Sequence, residues 1–201
     1  MYGGVWHNYG VNGQGQRRKD RSRERAPPRP LNAARLDEMA IRYVSRFATT
    51  RAKLRDYLRR KLRERGWEAE GEPPIDTLIE RVVGLGYVDD AAFARAKGGA
   101  LTARGLGRGR VAQELRAAGV SDDDGAEAKA TAEGSAAEAA LRFAKRKRIG
   151  PWATERPDRP GRQKWIGAML RAGHPMTLAR ALADASPGEE ITAKSLEELG
   201  S

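Results

Sequence analysis

The sequence predicts an all-α protein of three tandem three-helix repeats, and three observations carry that expectation. Apolar residues between Leu31 and Ala185 recur three and four positions apart, the spacing that lines them along one face of a helix. Glycines punctuate those segments at Gly66, Gly86, Gly107, Gly119 and Gly173, where a helix is expected to stop. An anchor pattern also returns: Leu54, Leu58 and Arg59 align with Val111, Leu115 and Arg116, and again with Ile166, Leu170 and Arg171, at offsets of 57 and then 55 residues. Each anchor falls on a helix that follows one amphipathic helix and precedes another. A unit of this size has too little apolar surface to stand alone, so neighbouring units are expected to stack.

Residues 1–30 are expected to form a disordered basic tail. They are rich in Gly, Asn and Gln, and Arg17 to Arg29 sets seven Lys or Arg against Asp20 and Glu24, with Pro27, Pro28 and Pro30 opposing helix. The first repeat, residues 31–87, opens with Leu31 as a staple and Asn32 as an N-cap. Leu36, Met39, Ala40, Tyr43, Val44 and Phe47 then share one helical face. Thr49 and Thr50 are placed to cap a second helix, whose buried stripe is Leu54, Tyr57, Leu58 and Leu62. Around that stripe stand Arg51, Lys53, Arg55, Arg59, Arg60, Lys61, Arg63 and Arg65, against only Asp56 and Glu64. Like charges one turn apart repel by roughly a few tenths of a kcal/mol per pair, a cost that an anionic partner would offset. Ile75, Leu78, Ile79, Val82 and Leu85 complete the unit with a third helix.

The second repeat, residues 88–134, opens with Asp89 and Asp90. Adjacent carboxylates at a helix start point different ways and satisfy free backbone N–H groups, so capping is preferred over acid–base catalysis or magnesium binding. Phe93, Ala96, Ala100 and Leu101 supply the expected stripe, and Gly98 and Gly99 mark a bend or a close contact. Gly105, Gly107 and Gly109 do not make a phosphate loop, since no strand precedes them and no Gly-Lys-Ser/Thr follows. They read as a tight turn between helices, with Arg104, Arg108 and Arg110 around it. Val111 and Leu115 bury the next helix, and an alanine-rich helix from about Asp122 to Glu133 closes the unit.

The third repeat, residues 135–186, begins at a capping box of Ser135 and Glu138, with Ala137, Leu141 and Ala144 facing inward. Lys145, Arg146, Lys147 and Arg148 suit the carboxyl end of that helix. Trp152 to Gly161 is expected to be a loop, Trp165, Ile166, Met169 and Leu170 the central helix, and Pro175 to Ala185 a short last helix carrying Met176, Ala179 and Leu182. Residues 187–201 are expected to be an acidic, disordered tail.

The net charge is +11, and the helical body between the two tails keeps +9, so the basicity belongs to the fold. An excess of this kind favours a polyanion: nucleic acid, a phosphate-rich assembly or an acidic protein surface. The absence of cysteine excludes disulfides, thiolate catalysis and cysteine zinc sites. His7 and His174 are the only imidazoles, one in the tail and one before Pro175, so no metal is expected. With no Ser/His/Asp group and no nucleotide loop, neither an enzyme nor a cofactor is expected. No apolar run reaches the length of a membrane span and the amino terminus lacks a signal pattern, which points to a cytoplasmic protein without membrane contact.

Gly86-Tyr87-Val88-Asp89-Asp90 with Phe93-Ala94, followed by Arg104, Gly107, Arg110, Val111, Glu114, Leu115 and Gly119-Val120, resembles the RecX family, regulatory proteins that modulate the RecA recombinase. Thr50-Arg51, Leu54 and Arg59 to Leu62 look like that family's basic helix, and Leu170-Arg171-Ala172-Gly173 is similar to its third repeat. Lys97 and Gly98 depart from the pattern, standing where such proteins often carry an aromatic residue. The resemblance spans residues 31–185 and implies an elongated crescent of tandem repeats that binds the RecA filament. It further implies that binding modulates, and usually restrains, recombination, ATPase and SOS-related activities in DNA repair, with stimulation left open. The expected partner-binding residues are Arg55, Arg59, Arg63, Arg104, Arg108, Arg110, Arg116, Lys145, Arg146, Lys147 and Arg148. The chain is expected to act as a monomer. The alternative is a stand-alone module for single- or double-stranded DNA, in which Tyr2, Trp6 and Tyr9 of the basic tail stack on bases.

Overall fold

The computed structural model describes residues 29–199, so the reading of residues 1–28 as a basic tail lies outside the described residues. Among the described residues ten α-helices follow one another: α1 (Ala33–Val44), α2 (Arg51–Arg65), α3 (Ile75–Gly84), α4 (Asp90–Ala103), α5 (Arg108–Ala117), α6 (Ala126–Gly134), α7 (Ala136–Lys147), α8 (Arg159–Arg171), α9 (Met176–Asp184) and α10 (Ala193–Glu197). Among the described residues there is no strand, only an isolated parallel bridge between Leu31 and Trp67.

Three separate hydrophobic clusters hold these helices. Leu36, Leu54, Leu58, Ile79 and Val82 close the first over α1–α3, and Ala94, Leu101, Val111, Leu115, Ala128 and Ala132 the second over α4–α6. Phe143, Ile149, Ile166, Met169, Leu182 and Leu196 centre the third over α7–α10. Each core is small and alanine-rich in places, in keeping with units that depend on their neighbours.

Local capping follows the side chains. Asn32 accepts from Arg35 N at 3.0 Å, Thr50 from Lys53 N at 3.2 Å and Asp89 from Ala92 N at 2.8 Å. Several expectations need correction. Thr49 caps nothing, and its Oγ1 is buried without a hydrogen-bond partner. Phe47 lies beyond the end of α1 and is 56% exposed, and Leu85, just past α3, is exposed as well. On α4 the buried face is Ala94, Gly98, Leu101 and Thr102, with Ala96 and Ala100 exposed. The reason is Gly98, where an added Cβ would meet Ala128 Cβ at 3.0 Å: the missing side chain lets α4 and α6 approach, and rotates the helix towards that contact.

The capping box at Ser135 does not form, because α6 ends where α7 begins and Ser135 closes α6 through its own N–H, donated to Thr131 O at 3.1 Å. The loop expected over Trp152 to Gly161 is shorter, since Asp158 accepts from Gly161 N at 2.7 Å and Pro160 sits in the first turn of α8. Leu170 is 39% exposed, and Met169 takes its place in the core. The C-terminal segment is not a disordered tail throughout: Thr192 and Ser195 form a capping box that starts α10, and Leu196, 1% exposed, packs into the third core.

Consecutive units meet end to end through their second helices. At one junction Gly107 N donates to Ala172 O at 2.9 Å and Gly109 N to Gly173 O at 3.1 Å, so the free N–H groups that start α5 satisfy the free carbonyls that end α8. At the other, Thr50 Oγ1 donates to Ala118 O at 2.6 Å, and Arg51 N donates to Asp90 Oδ1 at 2.9 Å. The start of α2 thus faces the end of α5, as the start of α5 faces the end of α8. Positive and negative helix ends pair in sequence along α8, α5 and α2.

Candidate partner-binding surface

The line of second helices carries the anchor cations. Arg59 and Arg116 each follow a core leucine, Leu58 or Leu115, so each stands at the equivalent position beside the buried seam of its own helix. Both are exposed and neither makes an ion pair, as holds for Arg63. Other candidates are tied to carboxylates of their own fold. Arg55 pairs with Asp76 at 2.9 Å, Arg108 with Glu133 at 2.8 Å and Arg110 with Glu114 at 2.8 Å. These three side chains are 33–58% exposed, where such pairs contribute about 0–1 kcal/mol, and a partner must compete with the internal carboxylate.

A second group gathers where α4 meets α7. The Arg146 guanidinium donates to the Arg104 carbonyl oxygen and lies 5.3 Å from the Phe143 ring centroid. Lys145, Lys147 and Arg148 are exposed beside it. Arg148 adopts a left-handed conformation, φ 53°, because the chain must reverse there to seat Ile149, whose N–H donates to Ala144 O at 2.9 Å. Its position is therefore dictated by the turn as well as by its charge.

Between α5 and α6 lies a cleft of about 320 Å³ lined by Arg108, Arg116, Lys129, Ser121 and Asp122. Lys129 donates to Asp122 at 2.8 Å, which holds that carboxyl below its usual range, and Arg108 is engaged by Glu133. Arg116 adds to the field that holds Asp122 below its usual range but makes no ion pair, and its guanidinium is suited to a phosphate or carboxylate.

Two residues have roles that spacing did not reveal. Asp90 does not cap its own helix; it reaches back to α2 and is buried, which pushes its carboxyl pKa up against the opposing bond from Arg51 N. His174, expected as a residue at the start of a helix, lies in the connection between α8 and α9 and is buried there. Its Nε2 lies 3.2 Å from Gly105 O, its ring packs 5.4 Å from Phe143, and burial lowers its pKa to about 4. Among the described residues there is no group of metal-ligating side chains, and no helix is long and apolar enough to cross a membrane.

Fold and surface together define the class: a protein of tandem three-helix repeats, joined end to end, with exposed and unpaired cations on its second helices. The model of the second three-helix domain of RecX matches residues 89–128. The regulatory protein RecX of Myxococcus xanthus is 32% identical over 178 residues, covering 84% of this chain and 95% of that protein. That of Thermobifida fusca is 33% identical over 166 residues, covering 82% and 83%. The crystal structure of RecX from Lactobacillus salivarius aligns with a TM-score of 0.55 over 76% of this chain and 94% of its own, at 17% identity, a likeness of fold. The chain belongs to the RecX family of regulatory proteins.

Proposed function

We propose that this protein binds the RecA recombinase filament and inhibits its recombination, ATPase and SOS-related activities. The observation that carries the reading is the equivalent placement of Arg59 and Arg116, exposed and unpaired, on helices joined end to end. A regulator whose cations recur with its own repeat fits a partner that is itself a periodic assembly with an acidic surface. Helices packed about 8 to 10 Å apart give units long enough to touch more than one subunit of such a filament. Inhibition then follows from occupancy alone, since a protein seated across neighbouring subunits opposes the movements that hydrolysis and strand exchange require.

The test is DNA-dependent ATP hydrolysis by RecA titrated with this protein, with and without residues 1–30. Hydrolysis is expected to fall as the protein is added. Changing Arg59 and Arg63 to Ala is expected to weaken the effect with the melting temperature unchanged. A large loss of stability with normal inhibition would instead make these arginines structural. The DNA-binding reading has its own signature: binding to naked DNA as tight as to the filament, with a log–log salt slope of about −0.9 per neutralised phosphate on duplex.

A further inference from the structure

The junction between the first two repeats opens into a groove of about 430 Å³ walled by Ala48, Thr49, Tyr87, Phe93, Ala96 and Lys97. Tyr87, in the wall, is 52% exposed. A single exposed apolar residue is ordinary, but Tyr87 walls a concave site beside Phe93, and it is used by neither core. Thr49, in the wall, keeps a buried Oγ1 with no hydrogen-bond partner. Such groups are uncommon in finished interiors, where buried polar atoms take a protein or water partner.

The rim has a definite charge. Lys53 Nζ stands 4.7 Å above the Phe93 ring and has no carboxylate partner, Lys97 of the wall lies 3.7 Å from Glu114, and Arg46 and Arg51, on the chain that flanks Ala48 and Thr49, are exposed and make no ion pair. Asp89, the acid of the wall, is occupied in capping Ala92 N. Because Lys53 already covers a face of Phe93, the site is poorly made for stacking nucleobases, whereas an apolar side chain entering from above needs only the cavity. We propose that this groove seats one apolar side chain, aromatic or leucine, from a segment of the partner protein whose neighbouring residues are carboxylates. The groove supplies the desolvated anchor, and Arg46, Arg51 and Lys53 receive the flanking acids. The proposal rests on the filament reading and deepens it: the anchor belongs to a RecA subunit, and the arginines of α2 and α5 contribute charge around it.

The experiment is equilibrium binding of the fluorescently labelled full chain to RecA filaments assembled on single-stranded DNA, and separately to the same DNA without RecA. Ala96→Glu fills the groove and repels carboxylates. It should weaken filament binding by about tenfold or more, leaving naked-DNA binding and the melting temperature as in the wild type. Tyr87→Ala, on an exposed wall side chain outside both cores, should weaken it several-fold, and decides the matter if Ala96→Glu fails to fold. Wild-type filament affinity in both variants would overturn the groove assignment while leaving the filament reading intact. Absence of filament binding by the wild type would overturn the filament reading itself. An equal loss on naked DNA would replace the peptide by nucleobases and overturn the proposal.

Discussion

Protonating His174 should loosen the joint between the second and third repeats. The ring is 3% exposed, its Nε2–H donates to Gly105 O at 3.2 Å, and its Nδ1 is buried with no partner. Burial lowers the pKa from 6.5 to about 4, against a smaller opposing effect of the Gly105 bond, and no charged side chain contributes. The sign follows from which state holds the proton. Between pH 6.5 and about 4 the unfolded chain is protonated and the folded chain is not, so stability is present above the unfolded value and is lost as pH falls towards the folded one. At about 1.4 kcal/mol per pKa unit, the full difference is about 3 kcal/mol. Roughly 2 kcal/mol of it disappears between pH 7 and pH 5. For a domain of this size that corresponds to a fall in melting temperature of about 4–8 °C.

Asp90, raised by burial, works the other way, since its protonation favours the fold. The comparison that isolates His174 is therefore wild type against His174→Gln, whose side-chain amide is able to donate to Gly105 without titrating. Urea unfolding at a series of pH values should show a steeper acid loss in the wild type, and the His174 ring should titrate near pH 4 by NMR. A ring pKa at or above 6, or the same acid loss in the glutamine variant, would refute the account of this junction.

Gly119 (φ 71°) sits so close to α2 that an added Cβ would overlap Ala52 Cβ. Gly119→Ala should cost about 2–4 kcal/mol from the left-handed backbone and the clash together, and Ala52→Gly should restore the part due to the clash; simple additivity in urea unfolding would mean the two repeats do not meet there. Asp90→Asn keeps an acceptor for Arg51 N and removes a buried charge, so its stability at neutral pH should match or exceed the wild type. Asp90→Ala orphans that N–H at a cost of about 1–3 kcal/mol, and equal losses in the two variants would contradict the cross-repeat cap.

What could be read ahead of the structure is what depends on a single turn. The caps at Asn32, Thr50 and Asp89 join residues three apart, and the stripe through Leu54 and Leu58 is a matter of spacing. Errors begin where a second element enters. The buried face of α4 is organised by a glycine that contributes no hydrophobicity, and only the proximity of Ala128 makes it part of a core. The acidic composition after Pro187 suggests solvation, yet Leu196, with Ile191 and Ala193 beside it, packs against the third core and docks a five-residue helix. The candidate surface divides for the same reason. Arg55, Arg108 and Arg59 are alike as sequence, and the carboxylates of Asp76 and Glu133 on α3 and α6 engage the first two and leave the third free.

By itself, the order of residues determined an all-helical chain, the repeat, the starts and stops of most helices, the excess positive charge and the resemblance to RecX. Tertiary structure alone decided how the repeats join, which cations remain unpaired, what surrounds His174 and where an apolar groove opens. Periodicity and capping are properties of neighbours along the chain, whereas the contacts that settle these matters, Thr50 with Ala118 and Gly105 with His174, link residues 68 and 69 positions apart. Whether such groups meet depends on how whole helices pack, and no local pattern contains that distance.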